Sequence, residues 1–324
     1  MILVLSYEEF EQCTDPVLDW LLYYDAEFLK ITYQDIYHSE NDVCFDIDNK
    51  KLIYNGIDLT EKVTTVYYRR FATNVKIPEL RNAFPTNQAK YEVTNEMEHL
   101  IKYFYFLLGD KKWFPYPKYV DIDKLTSLTM ANDAGLSIPK STVSNNKKCI
   151  QDFINEKPES ITKPIKFSGY FNADNGYTYT VLTNKITNKN LSDTKTKHFF
   201  PTLIQEKIDY EFEIRIFYLD GEFYAAAIIV PNTKYTDVKR HFGKAEIHWV
   251  PYQLPKLIED RLHKFMKSIK LNTGSIDMMK TNEGDYVFIE VNPVGQFIAP
   301  SRRCNFKIEK RIAEWLIKKS DEKR

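Results

Sequence analysis

The chain has 324 residues, of which 43% are hydrophobic, 28% are charged and only 10 are glycine. This composition is typical of a globular protein with a substantial core, and it excludes a disordered chain, a collagen-like repeat and a disulfide scaffold. The four cysteines are widely spaced and the six histidines form no ligand motif. Neither a disulfide framework nor a zinc site is therefore predicted.

Charge is distributed unevenly along the chain, although the formal net charge is zero. Residues 1–60 hold 13 acidic and 3 basic side chains, a net charge of −10, and the remainder therefore carries +10. Either the later part handles anions or the two parts neutralise each other, and both interpretations stay open. The sequence has no strongly basic patch of the kind that binds duplex nucleic acid. It also has no apolar run long enough for a membrane span, so we expect a soluble cytoplasmic protein.

Residues 1–119 are predicted to form a small α/β domain. Ile2–Leu5 is a buried type of strand, and the Thr-Asp-Pro segment 14–16 starts a helix that continues to Tyr24. The other predicted elements are a long amphipathic helix at about 87–108 and strands at about 27–32, 41–48, 51–54 and 63–68.

Two further subdomains are predicted, over residues 120–200 and 201–324. The first combines helices and strands with a polar loop over residues 167–176. The second is dominated by two antiparallel hairpins, with turns at Asp220-Gly221 and Glu283-Gly284. The predicted bounds are about 121–134, 138–143, 147–155 and 160–165 in the first subdomain, and 203–230, 254–270, 274–292 and 308–318 in the second.

The last hairpin is predicted to bring two carboxylates together. Asn282 is expected to face Asp285 across the turn. Counting back pairwise then places Asp277 directly opposite Glu290, and Asn292 projects beside Glu290. Like charges in opposed positions destabilise a sheet, so the pair needs a shared proton or a cation, and an Asp-Glu-Asn oxygen set is suited to Mg²⁺. The alternative is a solvated sheet face that carries acids by chance.

The preceding hairpin supplies basic groups. Glu213 and Arg215 lie on one face of its first strand, and the turn sets Arg215 opposite Ala226, a small residue that leaves space at the guanidinium. Such an arginine is suited to phosphate or to a developing anion, and a surface Glu-Arg ladder is the alternative. Lys163 ends a strand before the polar loop, as an anion ligand or as a surface lysine.

Several motifs follow one another in a recognisable order: Lys124 at a helix start, Lys163-Pro164 at a strand end, Gln205–Ile208, Glu213–Arg215, and Asp277 followed by Glu290–Pro293. Over about residues 120–305 the chain resembles the ATP-grasp ligases. Within that superfamily, the segment 290–297 and the strand ending at Arg69-Arg70 resemble the macrocyclases of microviridin-like ribosomal peptides (graspetides), especially the grasp-with-spasm type of maturase. The resemblance implies an α/β (α+β) ATP-grasp fold with an N-terminal pre-ATP-grasp domain, a central small α/β subdomain and a C-terminal antiparallel-sheet subdomain.

The resemblance also implies a role for each matching residue. The residues that would bind ATP, with 206–208 as the hinge that recognises adenine, are Lys124, Lys163, Glu206, Lys207, Ile208, Glu213 and Arg240. Those that would act in catalysis are Arg215, Glu213 and Lys163. Those that would hold Mg²⁺ are Asp277, Glu290 and Asn292. Arg69 and Arg70 would hold an acidic peptide or, alternatively, neutralise the acidic first module. The loop 167–176 would close over the nucleotide or, alternatively, is an ordinary mobile loop. The segment 230–270 lies where the family docks a leader peptide.

The implied function is that of an ATP- and Mg²⁺-dependent peptide macrocyclase. It would phosphorylate Asp or Glu side chains of a precursor peptide and close the acyl phosphates onto Ser or Thr hydroxyls as esters. The alternatives are a carboxylate-amine ligase that adds amino acids to a small molecule or a protein terminus, and a catalytically silent peptide-binding module. We expect a precursor peptide with a leader and an acidic, Thr-rich core as partner and a homodimer, with neither nucleic acid nor membrane.

Overall fold

The computed structural model describes residues 1–37, 40–71, 87–166, 171–172, 177–179, 183–192, 195–230 and 247–322. The chain divides into two compact units: Met1–Val120 with Gln296–Arg302 and Phe306–Arg324, and Asp121–Gly295 with Arg303–Asn305. The C-terminal residues, which the sequence analysis assigned to the last subdomain, thus lie largely in the first unit. Within the described ranges, no helix is both long enough and apolar enough to span a membrane.

Strands and helices occur throughout the described residues of both units. The described strands are β1 Ile2–Ser6, β2 Phe28–Thr32, β3 Val43–Asp46, β4 Lys51–Tyr54, β5 Ile57–Asp58, β6 Thr65–Tyr68, β7 Lys112–Phe114, β8 Ser141–Asn146, β9 Ser160–Thr162, β10 Phe171–Asn172, β11 Thr178–Tyr179, β12 Asn184–Ile186, β13 His198–Glu206, β14 Phe212–Leu219, β15 Glu222–Ile229, β16 His248–Tyr252, β17 Thr273–Lys280 and β18 Tyr286–Asn292. The described helices are α1 Asp15–Tyr23, α2 Leu59–Lys62, α3 Asn87–Leu107, α4 Lys124–Asp133, α5 Lys147–Glu156, α6 Asn188–Ser192, α7 Lys256–Ser268, α8 Ile298–Arg303 and α9 Ile308–Asp321.

The first unit is built on a parallel sheet with the strand order β2–β1–β6–β7. All residues of β1 are buried, as a continuous apolar run predicts for a strand that is covered on both faces. The closing helix α9 packs against α1 and against this sheet. On α3, Ile101 and Phe104 join Leu3, Leu5 and Val66 in one hydrophobic core. A small antiparallel sheet, β3–β4–β5, completes the described strands of this unit.

The described residues of the second unit form three antiparallel sheets, with the orders β12–β9–β13–β8, β16–β15–β14–β17–β18 and β10–β11. Ile150 and Ile154 of α5 and Leu191 of α6 pack with Ile204 to cover the four-stranded sheet. The buried face of α7 includes Phe265, whose ring centroid lies 5.0 Å from that of Phe288 in the five-stranded sheet. Packing of this apolar stripe fixes the helix on one face of the sheet.

Most predicted elements are found, with three informative differences. The predicted strand at 138–143 begins later, as β8. The predicted strand at 160–165 ends at Thr162, because Pro164 has no N–H to donate to a sheet ladder. Residues 203–206, assigned to the first hairpin, belong instead to β13 of the four-stranded sheet, and the hairpin itself is β14–β15 around Asp220-Gly221.

Candidate functional site

One row of the five-stranded sheet carries the charged residues that the sequence singled out. Arg215 on β14 pairs with Ala226 on β15 and, on its other side, with Asp277 on β17. Asp277 in turn pairs with Glu290 on β18. Both predicted cross-strand pairs are therefore confirmed. Directly paired residues project from the same face, so the sheet gathers one guanidinium and two carboxylates there.

The carboxylate pair depends on a β-bulge that the sequence analysis did not foresee. At the turn, the Thr281 N–H donates to the Asp285 carbonyl at 2.9 Å, so the predicted pairing of Asn282 with Asp285 is wrong by one residue. The register then shifts within β18, where Ile289 is the extra residue. This shift restores the predicted opposition of the two carboxylates, and bulges of this kind commonly re-aim side chains at functional sites.

Arg215 and Asp277 form a two-pronged ion pair. Arg215 Nη2 donates to Asp277 Oδ2 at 3.1 Å, and Nε contacts Oδ1. The side chains are 16% and 21% exposed, so both are largely withdrawn from water without being sealed from it. Two parallel contacts fix the guanidinium plane as well as its position.

Lys124 is the counter-ion of the second carboxylate. Its Nζ lies 3.7 Å from Glu290 Oε2 and donates to the Pro164 carbonyl at 3.1 Å. Lys124 is the first residue of α4, whose N-cap Asp123 accepts a hydrogen bond from the backbone N–H of Thr126. This cap sets the start of the helix and thereby the position of the lysine. No spacing rule in the sequence could have predicted the pairing of Lys124 with Glu290.

Three other predicted site residues lie near this row. Glu213 shares the face of Arg215 and accepts a hydrogen bond from the Tyr210 hydroxyl at 3.2 Å. Asn292 pairs with Ser275 and is exposed on the face of Glu290. Lys163, which directly precedes Pro164, is partly buried. The structure therefore places Glu213 and Asn292 on the face of this row, and Lys163 next in sequence to the Pro164 carbonyl that Lys124 contacts.

The predicted adenine hinge follows the end of β13. The Glu206 carboxylate accepts a hydrogen bond from the Lys140 backbone N–H at 2.9 Å and lies 2.9 Å from Lys157 Nζ. The Lys207 N–H donates to the Glu159 carbonyl at 2.8 Å. These contacts tie the segment to neighbouring strands, a structural role that the sequence did not indicate.

Arg69, at the end of β6 in the first unit, is only 2% exposed, and its Nη2 lies 3.3 Å from Oε1 of the buried Glu11. Burial by itself raises the pKa of Glu11, but the Arg69 charge and the hydrogen bonds from Thr14 and the Cys13 N–H outweigh it, so the pKa is lowered. This contact is of the neutralising kind, and the peptide-binding role of Arg69 and Arg70 stays a prediction. Arg70 follows with a left-handed backbone, at φ +56°.

Some predictions fall on residues outside the described ranges. Arg240 is one of them. The predicted flap over 167–176 is described only at Phe171 and Asn172, whose backbone forms β10. The predicted leader-docking segment 230–270 is described at residue 230 and from residue 247 onwards.

The described residues include no cluster of three or more His, Cys, Asp or Glu side chains that could hold a metal ion. The predicted Mg²⁺ ligands are instead the two carboxylates of Asp277 and Glu290 with the amide oxygen of Asn292, on β17 and β18. Mg²⁺ is commonly held by one or two carboxylates together with phosphate oxygens and water. This oxygen donor set therefore fits an ion that binds together with a nucleotide.

Comparison with known proteins identifies the fold. No protein-family model matches the chain, and no curated protein is significantly similar to it. The macrocyclase MdnC from Microcystis aeruginosa MRC, bound with precursor peptide MdnA, matches with a TM-score of 0.81 and 25% identity, over 98% of this chain and 99% of that chain. A RiPP-associated ATP-grasp ligase from Chryseobacterium gregarium, in complex with ADP and a leader and core peptide, has a TM-score of 0.82 and 23% identity, over 98% and 96%.

A third match is the ATP-grasp ligase PsnB complexed with minimal precursor, Mg and ADP, with a TM-score of 0.79 and 18% identity over 99% of this chain and 97% of that chain. All three relatives are matched over nearly their whole length, so the likeness is not limited to one part of the fold. The predicted ATP-grasp fold is confirmed. The chain has the ATP-grasp fold, and its structure matches macrocyclases and ligases of ribosomally made, post-translationally modified peptides (RiPPs) over nearly its full length.

Proposed function

We propose that the chain is an ATP- and Mg²⁺-dependent ligase that closes ester rings in a ribosomally made precursor peptide. The observation that carries this proposal is the row formed by Arg215, Asp277 and Glu290, with Lys124 beside it. The two carboxylates, which would hold a metal ion, lie with Arg215 on one sheet face, and Lys124 of α4 lies 3.7 Å from Glu290. The similar structures of MdnC with a precursor peptide and of PsnB with precursor, Mg and ADP support the same substrate class and cofactors.

The chemistry follows from the weakness of a carboxylate as an electrophile. Its charge is delocalised, and its leaving group would be oxide. Transfer of the γ-phosphoryl group of ATP to an Asp or Glu oxygen of the peptide releases ADP and gives an acyl phosphate, whose leaving group is phosphate. A Ser or Thr hydroxyl of the same peptide then attacks the acyl carbon, loses its proton and displaces phosphate. Each ring therefore consumes one ATP and removes the elements of one water from the peptide.

This chain's side chains contribute mainly charge and position, as phosphoryl transfer requires. Arg215 would stabilise the negative charge that develops on the transferring group and the reacting carboxylate. Lys124 and Lys163 would bind phosphate oxygens. Asp277 and Glu290 with Asn292 would hold Mg²⁺, which when bound offsets the triphosphate charge.

The remaining proposed contacts lie around this centre. Glu213 would orient the groups beside Arg215, and the segment 206–208 would recognise adenine. Arg240 would bind the transferred phosphate, and the loop 167–176 would exclude water from the acyl phosphate, which water hydrolyses. The nucleophile belongs to the peptide, so the enzyme needs no nucleophilic side chain of its own.

Mass spectrometry tests this proposal. The purified chain is incubated with ATP, Mg²⁺ and a Thr- and Glu-rich precursor peptide encoded beside its gene. Loss of one water per ring is expected, and mild alkali should restore the lost water because esters hydrolyse where amides do not. A mass gain from an added amino acid would instead establish the carboxylate-amine ligase. Bound but unmodified peptide would establish the silent binding module.

The quaternary structure is a separate part of the proposal. We infer a homodimer, as expected from the sequence. Light scattering of the purified chain should give a mass twice that of one chain, and the mass of a single chain would contradict it.

A further inference from the structure

Each proposed metal ligand is paired with a proposed phosphate ligand. Asp277 is held by Arg215 through two contacts, one at 3.1 Å, and Glu290 lies 3.7 Å from Lys124. We propose that nucleotide and Mg²⁺ bind by exchanging these ion pairs, so that each ligand strengthens the binding of the other. This inference rests on the proposed function and concerns the order and coupling of binding at the same site.

Either ligand that binds alone breaks these ion pairs without replacing them. A nucleotide that takes Arg215 and Lys124 as phosphate ligands would leave two adjacent carboxylates beside its own negative charge. Mg²⁺ that takes the two carboxylates would leave two cations beside the metal. When both bind, each carboxylate exchanges a base for the metal and each base exchanges a carboxylate for phosphate, so the broken ion pairs are replaced.

The surroundings of the four side chains make this effect large enough to measure. Lys124 and Glu290 are 13% and 28% exposed, and Arg215 and Asp277 are similarly withdrawn from water. Charges in such positions are screened much less than charges at a fully exposed surface. Coupling between two ligands is also reciprocal, so the factor by which Mg²⁺ strengthens nucleotide binding must equal the factor by which nucleotide strengthens Mg²⁺ binding.

The geometry allows the exchange to occur through side-chain movement alone. The ion-paired groups on β14, β17 and β18 are held in register by the sheet. Lys124 is additionally anchored through the Pro164 carbonyl, which keeps its amine near the site after Glu290 has been released. The bases are therefore positioned for phosphate before the nucleotide arrives, and the carboxylates act as their temporary partners.

This arrangement predicts an unusual effect of Asp277→Asn. The amide keeps a carbonyl oxygen that can accept the hydrogen bond from Arg215, but it removes the negative charge that competes with phosphate. In a metal-free buffer the variant should therefore bind the non-hydrolysable analogue AMPPNP about tenfold more tightly than the wild type. Adding excess Mg²⁺ should increase the affinity of Asp277→Asn for AMPPNP by a smaller factor than it increases the affinity of the wild type. A residue that served only as a metal ligand would leave the metal-free affinity unchanged.

Isothermal titration with AMPPNP, in EDTA and in excess Mg²⁺, provides a readout that is independent of turnover. Asp285→Asn is the matched control, because it removes the same charge from an exposed position in the turn of the same hairpin. Glu290→Gln tests the arm that involves Lys124 and serves as the second variant if Asp277→Asn does not fold. Circular dichroism and thermal unfolding establish that the compared proteins are folded.

The outcomes separate this inference from the function on which it rests. Tighter metal-free binding by a folded variant, with unchanged binding by Asp285→Asn, supports the exchange. If the wild type binds Mg²⁺-AMPPNP while neither Asp277→Asn nor Glu290→Gln binds the metal-free analogue more tightly than the wild type does, the exchange is overturned and the proposed function stands. If the wild type binds AMPPNP in neither buffer, the proposed function itself is overturned.

Discussion

Arg215 and Asp277 face each other across β14 and β17, and the guanidinium of the first contacts both carboxylate oxygens of the second. The sequence analysis assigned the two residues to different tasks, catalysis for Arg215 and metal binding for Asp277. Their direct pairing joins these tasks, because any ligand that engages one residue changes the environment of the other. The site therefore has to be tested as a unit, with variants that separate charge from shape.

Removing either proposed metal ligand should stop turnover without preventing peptide binding. For Asp277→Ala and Glu290→Ala we expect ring formation to fall by at least about 100-fold, because the charge on the transferring phosphoryl group is no longer offset. Mass spectrometry of the product and fluorescence anisotropy of a labelled leader peptide measure the two effects. Asp285→Ala, exposed in the same hairpin, should behave as the wild type. Undiminished ATP consumption by both site variants would refute the metal assignment.

Arg215→Lys should show that the shape of the cation matters as well as its charge. Lysine keeps the positive charge but cannot make two parallel contacts, so we expect ADP release during turnover to slow by about 100-fold. Arg311→Lys, at an exposed position on α9, is the control for the same substitution. Turnover by Arg215→Lys within about twofold of the wild type would exclude a two-pronged role in the reaction.

Gly295→Ala should disturb the turn that follows β18. Gly295 has φ +67°, and an added Cβ would lie 2.9 Å from Phe217 Cε2. Its N–H also donates to the Asn292 carbonyl at 3.0 Å. We expect a loss of at least about 2 kcal/mol in the free energy of unfolding, from backbone strain and crowding together, and slower ring formation.

Gly56→Ala separates the cost of backbone strain from the cost of crowding. Gly56 has φ +77°, but an added Cβ there would have no heavy atom within 4 Å. Gly56→Ala should therefore lower the free energy of unfolding by about 1 kcal/mol, through backbone strain alone. Urea denaturation of both variants measures the difference, and equal costs would show that Phe217 moves aside without penalty.

The buried Glu11–Arg69 pair should be costly to break. Glu11→Gln or Arg69→Met leaves one buried group without its charged partner, so each should lower the free energy of unfolding by about 3–5 kcal/mol. The double variant should lose less free energy of unfolding than the two single variants lose in sum. Urea denaturation provides the measurement. Glu156→Gln, which breaks an exposed pair with Lys140, should lower the free energy of unfolding much less than either variant of the buried pair does. Strictly additive costs would show that the two side chains are not coupled.

The same pair predicts the direction of a pH effect. The pKa of Glu11 in the folded protein lies below its ordinary value of 4.5, so the ionised form stabilises the fold at pH values above 4.5. As the pH falls through the lower folded pKa, this contribution is lost. The difference in unfolding free energy between the wild type and Glu11→Gln should therefore be constant from about pH 7 to pH 5 and shrink below that. A difference that grew on acidification would contradict the assignment.

The pairing of Arg69 with Glu11 shows what a local sequence pattern cannot predict. The two basic residues at the end of an N-terminal strand suggested either a peptide contact or charge neutralisation. The contact of Arg69 with Glu11 depends on the loop that carries Glu11, 58 positions earlier, which folds back onto the end of β6. Pairing at that distance along the chain has no period or spacing, so it could not be read from the sequence. Lys124 and Glu290 provide the same lesson in the second unit.

The sequence by itself predicted most of the strands and helices and singled out the candidate site residues, because apolar periodicity and turn residues are local properties. It also predicted that Asp277 lies opposite Glu290, although its register at the turn was wrong by one residue. Only the tertiary structure decided why that pair forms and which cations neutralise it. A bulge at Ile289 corrects the register, and a neighbouring strand and a distant helix supply Arg215 and Lys124. Bulges and counter-ions arise from packing between segments that are far apart in the chain, so a local sequence pattern does not predict them.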